Sequence, residues 1–216
     1  MSPIQIDIVD TQQKTTFVAL ALSFSGPFFF LGMQLSAVLS AVNIVKDKTV
    51  GPLSIFPFVS LFTNCVLWSL YGLLKNDTTV LFPNIIGIVS GLFCIVAYQL
   101  NCSPSAVPKV YYLFSTLIVI FAVSLYISDN SALIGSIGCV LAVVLMGSPL
   151  STLQTVVASK STAALPFFTS FMGWCNALSW SAYGLLVAND ILIYGPNLLG
   201  LALTSFQMIL FLIYGK

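Results

Sequence analysis

Two stretches of the chain carry almost the same polar residues in the same order: WSLYGLLKNDTTVLFPN from Trp68 to Asn84, and WSAYGLLVANDILIYGPN from Trp180 to Asn197. Extended upstream, they give Asn64, Trp68, Tyr71 and Asn176, Trp180, Tyr183, both at i, i+4, i+7, which puts each trio on one helical face. Pro83-Asn84 with Gly87 follows the first trio, and Pro196-Asn197 with Gly200 follows the second. Carboxamides donate and accept hydrogen bonds, and indoles offer apolar faces. Gathered together, these groups suit a neutral polyol, whose hydroxyls meet the amides while its C–H faces lie on the rings. They do not suit proton transfer or nucleophilic attack. The chain has no His, Arg or Glu, no catalytic cluster appears, and neither an enzyme nor a cofactor or metal site is expected. Cys65, Cys94, Cys102, Cys139 and Cys175 lack the paired spacing of a zinc site or redox dithiol and read as small apolar packing residues.

What must position these residues is a membrane bundle. With hydrophobic residues at 58% and charged residues at 6%, the chain could not cover a soluble globule with polar surface. Seven apolar runs, each long enough to cross roughly 30 Å of hydrocarbon, fall at 17–44, 53–74, 79–101, 109–128, 131–157, 164–188 and 191–215. The expected class is an all-α integral membrane protein with seven transmembrane helices. The first run is too long for a signal-peptide core and lacks a preceding basic segment, so it is expected to be retained. One set of loops receives Lys46, Lys48, Lys109, Lys160 and Lys216, the other only Lys14 and Lys75. The positive-inside rule then puts the N-terminus on the extracellular or lumenal side and the C-terminus in the cytoplasm, in a plasma or organelle membrane. No nucleic-acid partner is expected.

The duplication extends beyond the opening stretches, since VKDKTVGPLSIFPF (Val45 to Phe58) answers VASKSTAALPFF (Val157 to Phe168). Three crossings followed directly by three more would be inverted, and a single connector helix restores the orientation. The expected layout is therefore 3+1+3 parallel repeats: a tail over 1–16, a first triplet over 17–101, a linker helix over 102–130 and a second triplet over 131–216. Trp68 lies about 10 Å from the helix end at Lys75, at 1.5 Å per residue, and Asn84 lies equally far from Asp77. Asn197 stands equally far from Asp190, and Trp180 slightly deeper relative to that aspartate. One buried layer can then hold two indoles and two amides, with Asn64 and Asn176 beside it. An unpartnered amide facing lipid would cost several kcal/mol, so the layer should face a bundle interior or wet cavity. Pro57, Pro149 and Pro166 read as hinges of a cytoplasmic gate. Tyr71, Tyr183, Lys75 and Asp190 read as a gate at the other end, although interfacial anchoring would also explain the Tyr and Lys. With no Asp, Glu, His, Lys or Arg within the membrane, no proton relay is visible, and a uniporter is expected. Gly87-x-x-x-Gly91 permits close helix contact, within a triplet or between subunits of a homo-oligomer.

Together KTVGPLSIFPF, TNCVLWSLYGLL, FPNIIG, GSPLSTLQTVVASKSTAALPFF, WCNALSWSAYGLL and GPNLLG resemble the SWEET family of sugar facilitators over nearly the whole chain. The resemblance implies that Asn84 and Asn197 bond the sugar, that Trp68 and Trp180 flank it, and that Pro57, Pro149 and Pro166 belong to a four-proline hinge set. Ala37 stands where the fourth proline is usual. The resemblance also implies that Met33 and Leu145 influence cargo size, and bulk there and at Trp68 favours a monosaccharide such as glucose. Two other readings share the architecture: a proline-glutamine-loop amino-acid carrier, and an accessory protein that moves nothing. The first expects Pro-Gln at its hinges and a buried acid, whereas this chain has Pro149-Leu150 and no such acid.

Overall fold

The computed structural model describes residues 3–103, 109–163 and 165–215, with all their side chains except those of 3–15 and 147–151. Eight helices make up these residues: α1 Pro3–Asp47, α2 Phe56–Lys75, α3 Thr78–Asn101, α4 Lys109–Ile127, α5 Ser131–Leu145, α6 Gly147–Ser159, α7 Phe167–Leu186 and α8 Ile191–Tyr214. They form seven crossings, because α5 and α6 are two pieces of one. The first helix is longer than expected. It runs 45 residues from Pro3, through most of the segment expected as a tail over 1–16. At 1.5 Å per residue that is about 68 Å, roughly twice the hydrocarbon thickness.

Five stretches are individually long and apolar enough to cross a membrane: Thr16–Asp47, Phe56–Lys75, Thr78–Asn101, Lys109–Ile127 and Ile191–Tyr214. The remaining two crossings fall short for different reasons. Helix α7 has the length but carries Thr169, Ser170, Asn176, Ser179 and Ser181, so its hydropathy is diluted by residues facing inward or packing on other helices. It starts at Phe167, with Pro166 as an extended N-cap, rather than at 164. The fifth run, expected as one helix over 131–157, breaks at Met146. Pro149 has no N–H to give the Leu145 carbonyl. The last turn of α5 tightens accordingly, with the Met146 N–H donating to the Val143 carbonyl at 3.1 Å.

Local chemistry explains the turns. Asn76 and Asn189 both take left-handed backbone (φ 52° and 48°), a conformation that asparagine tolerates better than most L-residues. Asp77 and Asp190 follow as N-caps, accepting from the backbone N–H of Val80 (3.1 Å) and Leu192 (3.0 Å). At the opposite end Lys48 and Lys160 are left-handed as well (φ 54° and 51°). Matched residues thus bend the chain at matched places.

Packing follows the same duplication. Helix α3 lies between α1 and α2, and α8 lies between α7 and the broken α5–α6. Across the midline α1 meets α7, and α2 meets α5. The connector α4 packs on α2 and α5, and the Thr63 and Ser115 hydroxyls join it to α2 at 2.6 Å. At the Asp77/Asp190 end one apolar core takes residues from both halves, including Leu67, Tyr71, Ile134, Trp180 and Ile193. At the lysine-rich end each half keeps its own core, around Ile44, Phe58 and Tyr98 in the first and Val156, Leu165 and Leu210 in the second.

Candidate functional site

Between the halves lies a cavity of about 170 Å³, lined by Phe30, Asn64, Trp68, Val80, Asn84, Ala142, Met146, Asn176, Trp180, Ile193, Pro196 and Asn197. All six of the expected asparagines and tryptophans therefore come together. Most of the lining falls into repeat pairs: Phe30 with Ala142, Val80 with Ile193, and each Asn and Trp with its counterpart. None of these side chains ionises. The volume equals roughly six waters at about 30 Å³ each, which suits one small ring better than two.

Each amide is held by its own helix. Pro83 and Pro196 leave gaps in the hydrogen-bond ladder just before Asn84 and Asn197. Each asparagine turns its Nδ2 back onto its own helix, Asn84 to the Val80 carbonyl and Asn197 to the Ile193 carbonyl, both at 2.7 Å. The Oδ1 atoms remain. Those of Asn64, Asn84 and Asn176 are buried without a hydrogen-bond partner among the described residues. A buried oxygen in that state costs about 1–3 kcal/mol. The Nδ2 donors of Asn84 and Asn197 are thus engaged on their own helices, where the sequence suggested amides with both roles free.

At the Asp77/Asp190 end the cavity is closed by two crossed hydrogen bonds. The Tyr71 hydroxyl donates to Asp190 Oδ2, and the Tyr183 hydroxyl donates to both carboxylate oxygens of Asp77 at 2.9 Å. Each tyrosine thus reaches the aspartate that caps a helix of the other repeat. Lys75 Nζ stands 3.9 Å from Asp190 Oδ2 and 5.7 Å from the Tyr71 ring centroid. Its side chain is 45% exposed, so this ion pair contributes at most about 1 kcal/mol. The expected set of Tyr71, Tyr183, Lys75 and Asp190 is assembled here, and Asp77 completes it. The repeated Asn-Asp at Asn76-Asp77 and Asn189-Asp190 was the available signal for that partner.

Toward the lysine-rich end the chamber adjoins a larger cleft of about 780 Å³, which shares Phe30 and Asn176 with it. Met33, Ala37 and Pro57 line this cleft rather than the chamber. Met146 lines the chamber, while the expected Leu145 does not. The break explains this, because it is Met146, at the junction of α5 and α6, that faces the cavity. Pro57 occupies the first turn of α2, where a proline costs the helix nothing. Ala37 lies inside an unbroken α1. Pro149 is the third residue of α6, and its side chain lies outside the described residues.

Comparison with known proteins supports the same assignment from another direction. The family described as "Sugar efflux transporter for intercellular exchange" matches twice, over residues 20–105 and 132–216. Sugar transporter SWEET1 of Dictyostelium discoideum is 29% identical, covering 94% of this chain and 96% of its own length. Bidirectional sugar transporter SWEET1 of Arabidopsis thaliana is 30% identical over 80% of this chain and 73% of its own. The solved structure of a eukaryotic SWEET transporter superposes with a TM-score of 0.77 at 24% identity, covering 93% of this chain and 98% of that one, and shares its fold. With each of its halves matched separately, this multi-pass membrane protein belongs to the SWEET family of sugar efflux transporters for intercellular exchange.

Proposed function

We propose that the protein is a bidirectional uniporter that carries a neutral monosaccharide such as glucose across its membrane by alternating access. One observation carries the reading: a chamber of paired carboxamides and paired indoles, free of ionisable groups, lies between like-oriented halves. Asn64, Asn84, Asn176 and Asn197 accept hydrogen bonds from the sugar hydroxyls, and Trp68 and Trp180 flank the ring. The relatives' names, which specify sugar transport, favour this cargo class.

In this proposal the Asp77/Asp190 end faces outward and the lysine-rich end faces the cytoplasm, as the lysine bias favours. Tyr71, Tyr183, Lys75, Asp77 and Asp190 form the outer gate. Pro57, Pro149 and Pro166 mark the hinges at the cytoplasmic end, with Ala37 as the position in the first repeat that lacks one. Met33 meets the sugar on its way through the cleft. Leu145 acts on cargo size only through its neighbour Met146.

The test is counterflow of labelled glucose in proteoliposomes, with Asn84→Ala and Asn197→Ala beside the natural protein. A lost hydrogen bond to substrate is worth about 0.5–1.5 kcal/mol, so each variant should lose roughly 2- to 12-fold in apparent affinity. Unchanged glucose transport in both variants, with both correctly folded, would refute the proposal.

A further inference from the structure

The protein has three tryptophans, and the two in the chamber share a support that the third lacks. Trp174 is held by its own indole N–H, which donates to the Ser205 hydroxyl at 3.0 Å. Trp180 on α7 instead lies against Gly26 on α1. A methyl group placed on Gly26 would stand 3.0 Å from Trp180 Cε2 and 3.1 Å from Cδ2. Trp68 on α2 lies in the same way against Gly138 on α5, where a methyl group would stand 3.2 Å from Cε2 and 3.3 Å from Cζ2. The two contacts are repeat equivalents of one another. In each, the first helix of one repeat provides a bare backbone against which the other repeat's indole rests.

The indoles have little freedom to yield elsewhere. One turn outward, Tyr71 meets Trp68 edge-on at 5.4 Å and 79°, and Tyr183 meets Trp180 at 5.7 Å and 90°. Both tyrosines are themselves anchored by their bonds to Asp190 and Asp77. An indole pushed from the glycine side therefore moves by tenths of an ångström into a cavity of only about 170 Å³.

From this geometry, and relying on the reading of the chamber as the sugar site, we propose that Gly26 and Gly138 are positioning residues that set the chamber's width and so the largest sugar it admits. They touch no sugar; they determine how far each indole stands back from it.

The experiment is proteoliposome counterflow with glucose and, in parallel, the smaller pentose xylose. Gly26→Ala and Gly138→Ala should each lower glucose transport relative to xylose by on the order of tenfold, chiefly through KM, as overpacking by a methyl group would. Gly195→Ala serves as the control, since a methyl group there meets its nearest neighbour at an ordinary 3.8 Å. Pairing is tested by trimming the ring. Gly26→Ala should be rescued by Trp180→Phe and not by Trp68→Phe, and Gly138→Ala should show the reverse. Should a single alanine variant fail to reach the membrane, the same crossed pattern read as recovered yield decides the matter. Equal loss of both sugars, or rescue by either phenylalanine alike, overturns the proposal. If Asn84→Ala and Asn197→Ala leave glucose transport intact, the chamber reading fails instead, a separate outcome.

Discussion

Asp77 and Asp190 each serve two partners, and this sharing ties the gate to the fold. One carboxylate oxygen caps a helix of its own repeat, while a tyrosine from the other repeat donates to the same side chain. A hydrogen bond to a charged group contributes about 1.5–3 kcal/mol, so two such crossings favour the state closed at this end by roughly 3–6 kcal/mol. Tyr71→Phe and Tyr183→Phe remove the hydroxyls and leave the caps and rings in place. In a cysteine-free background with Val80→Cys in the chamber wall, a membrane-impermeant thiol reagent added from outside should label each variant about 10- to 100-fold faster. Labelling no faster than in the parent would mean that these bonds do not hold the end shut. The residues of this gate were partly legible in the sequence. The duplicated Tyr and Asp, with Lys75 beside the first pair, sat where the spans ended, so their shared depth could be counted, but Tyr183 reaching Asp77 could not. Spacing along one chain says which face a side chain occupies and nothing about which helix lies opposite. Phe30, Ala142, Gly26 and Gly138 escaped notice for the same reason: an apolar residue or glycine in an apolar span looks the same whether it faces lipid or a cavity.

At the scale of the helix, the two repeats differ where one residue differs. Helix α1 passes through Ala37 without interruption, whereas its counterpart divides at Met146, just ahead of Pro149. The duplication and the number of crossings were legible, because both rest on hydropathy and on repeated polar residues. The break was not. Hydropathy over 131–157 does not register that one residue lacks an N–H. The asymmetry makes opposite substitutions informative. Pro149→Ala restores a donor for the Leu145 carbonyl and should let α5 and α6 join, while Ala37→Pro removes one from α1 at a cost of about 3 kcal/mol. If the break is the flexing point of the second repeat, Pro149→Ala should lower the maximal rate of counterflow severalfold and leave sugar affinity within about twofold. Ala37→Pro should lower thermal stability and leave transport measurable, because it gives the first repeat the joint that the second already has. A loss of affinity in Pro149→Ala with its maximal rate intact would place the proline in binding rather than motion.

Taken whole, the molecule is joined at one end and divided at the other. The shared core at the Asp77/Asp190 end and the separate cores flanking the 780 Å³ cleft are what a rocking pair of halves should show when closed at the Asp77/Asp190 end. Moving to the opposite state must part the shared core and close the cleft. Nothing in the chamber offers a means of coupling that motion to an ion gradient. Its lining contains only amide, indole and apolar groups, and the chain has no histidine, the side chain whose ordinary pKa lies between pH 5 and 8. Proton-driven carriers need a titratable relay within the membrane. Glucose counterflow should therefore stay within about twofold across that pH range, and a protonophore should not change it. Net flux should reverse when the sugar gradient is reversed, with no pH difference across the vesicle. Accumulation of sugar above its external concentration under an imposed proton gradient would require a relay outside the chamber. The carboxylates of Asp77 and Asp190 would then be the first to replace with asparagine, because they are the acidic groups joined across the two halves.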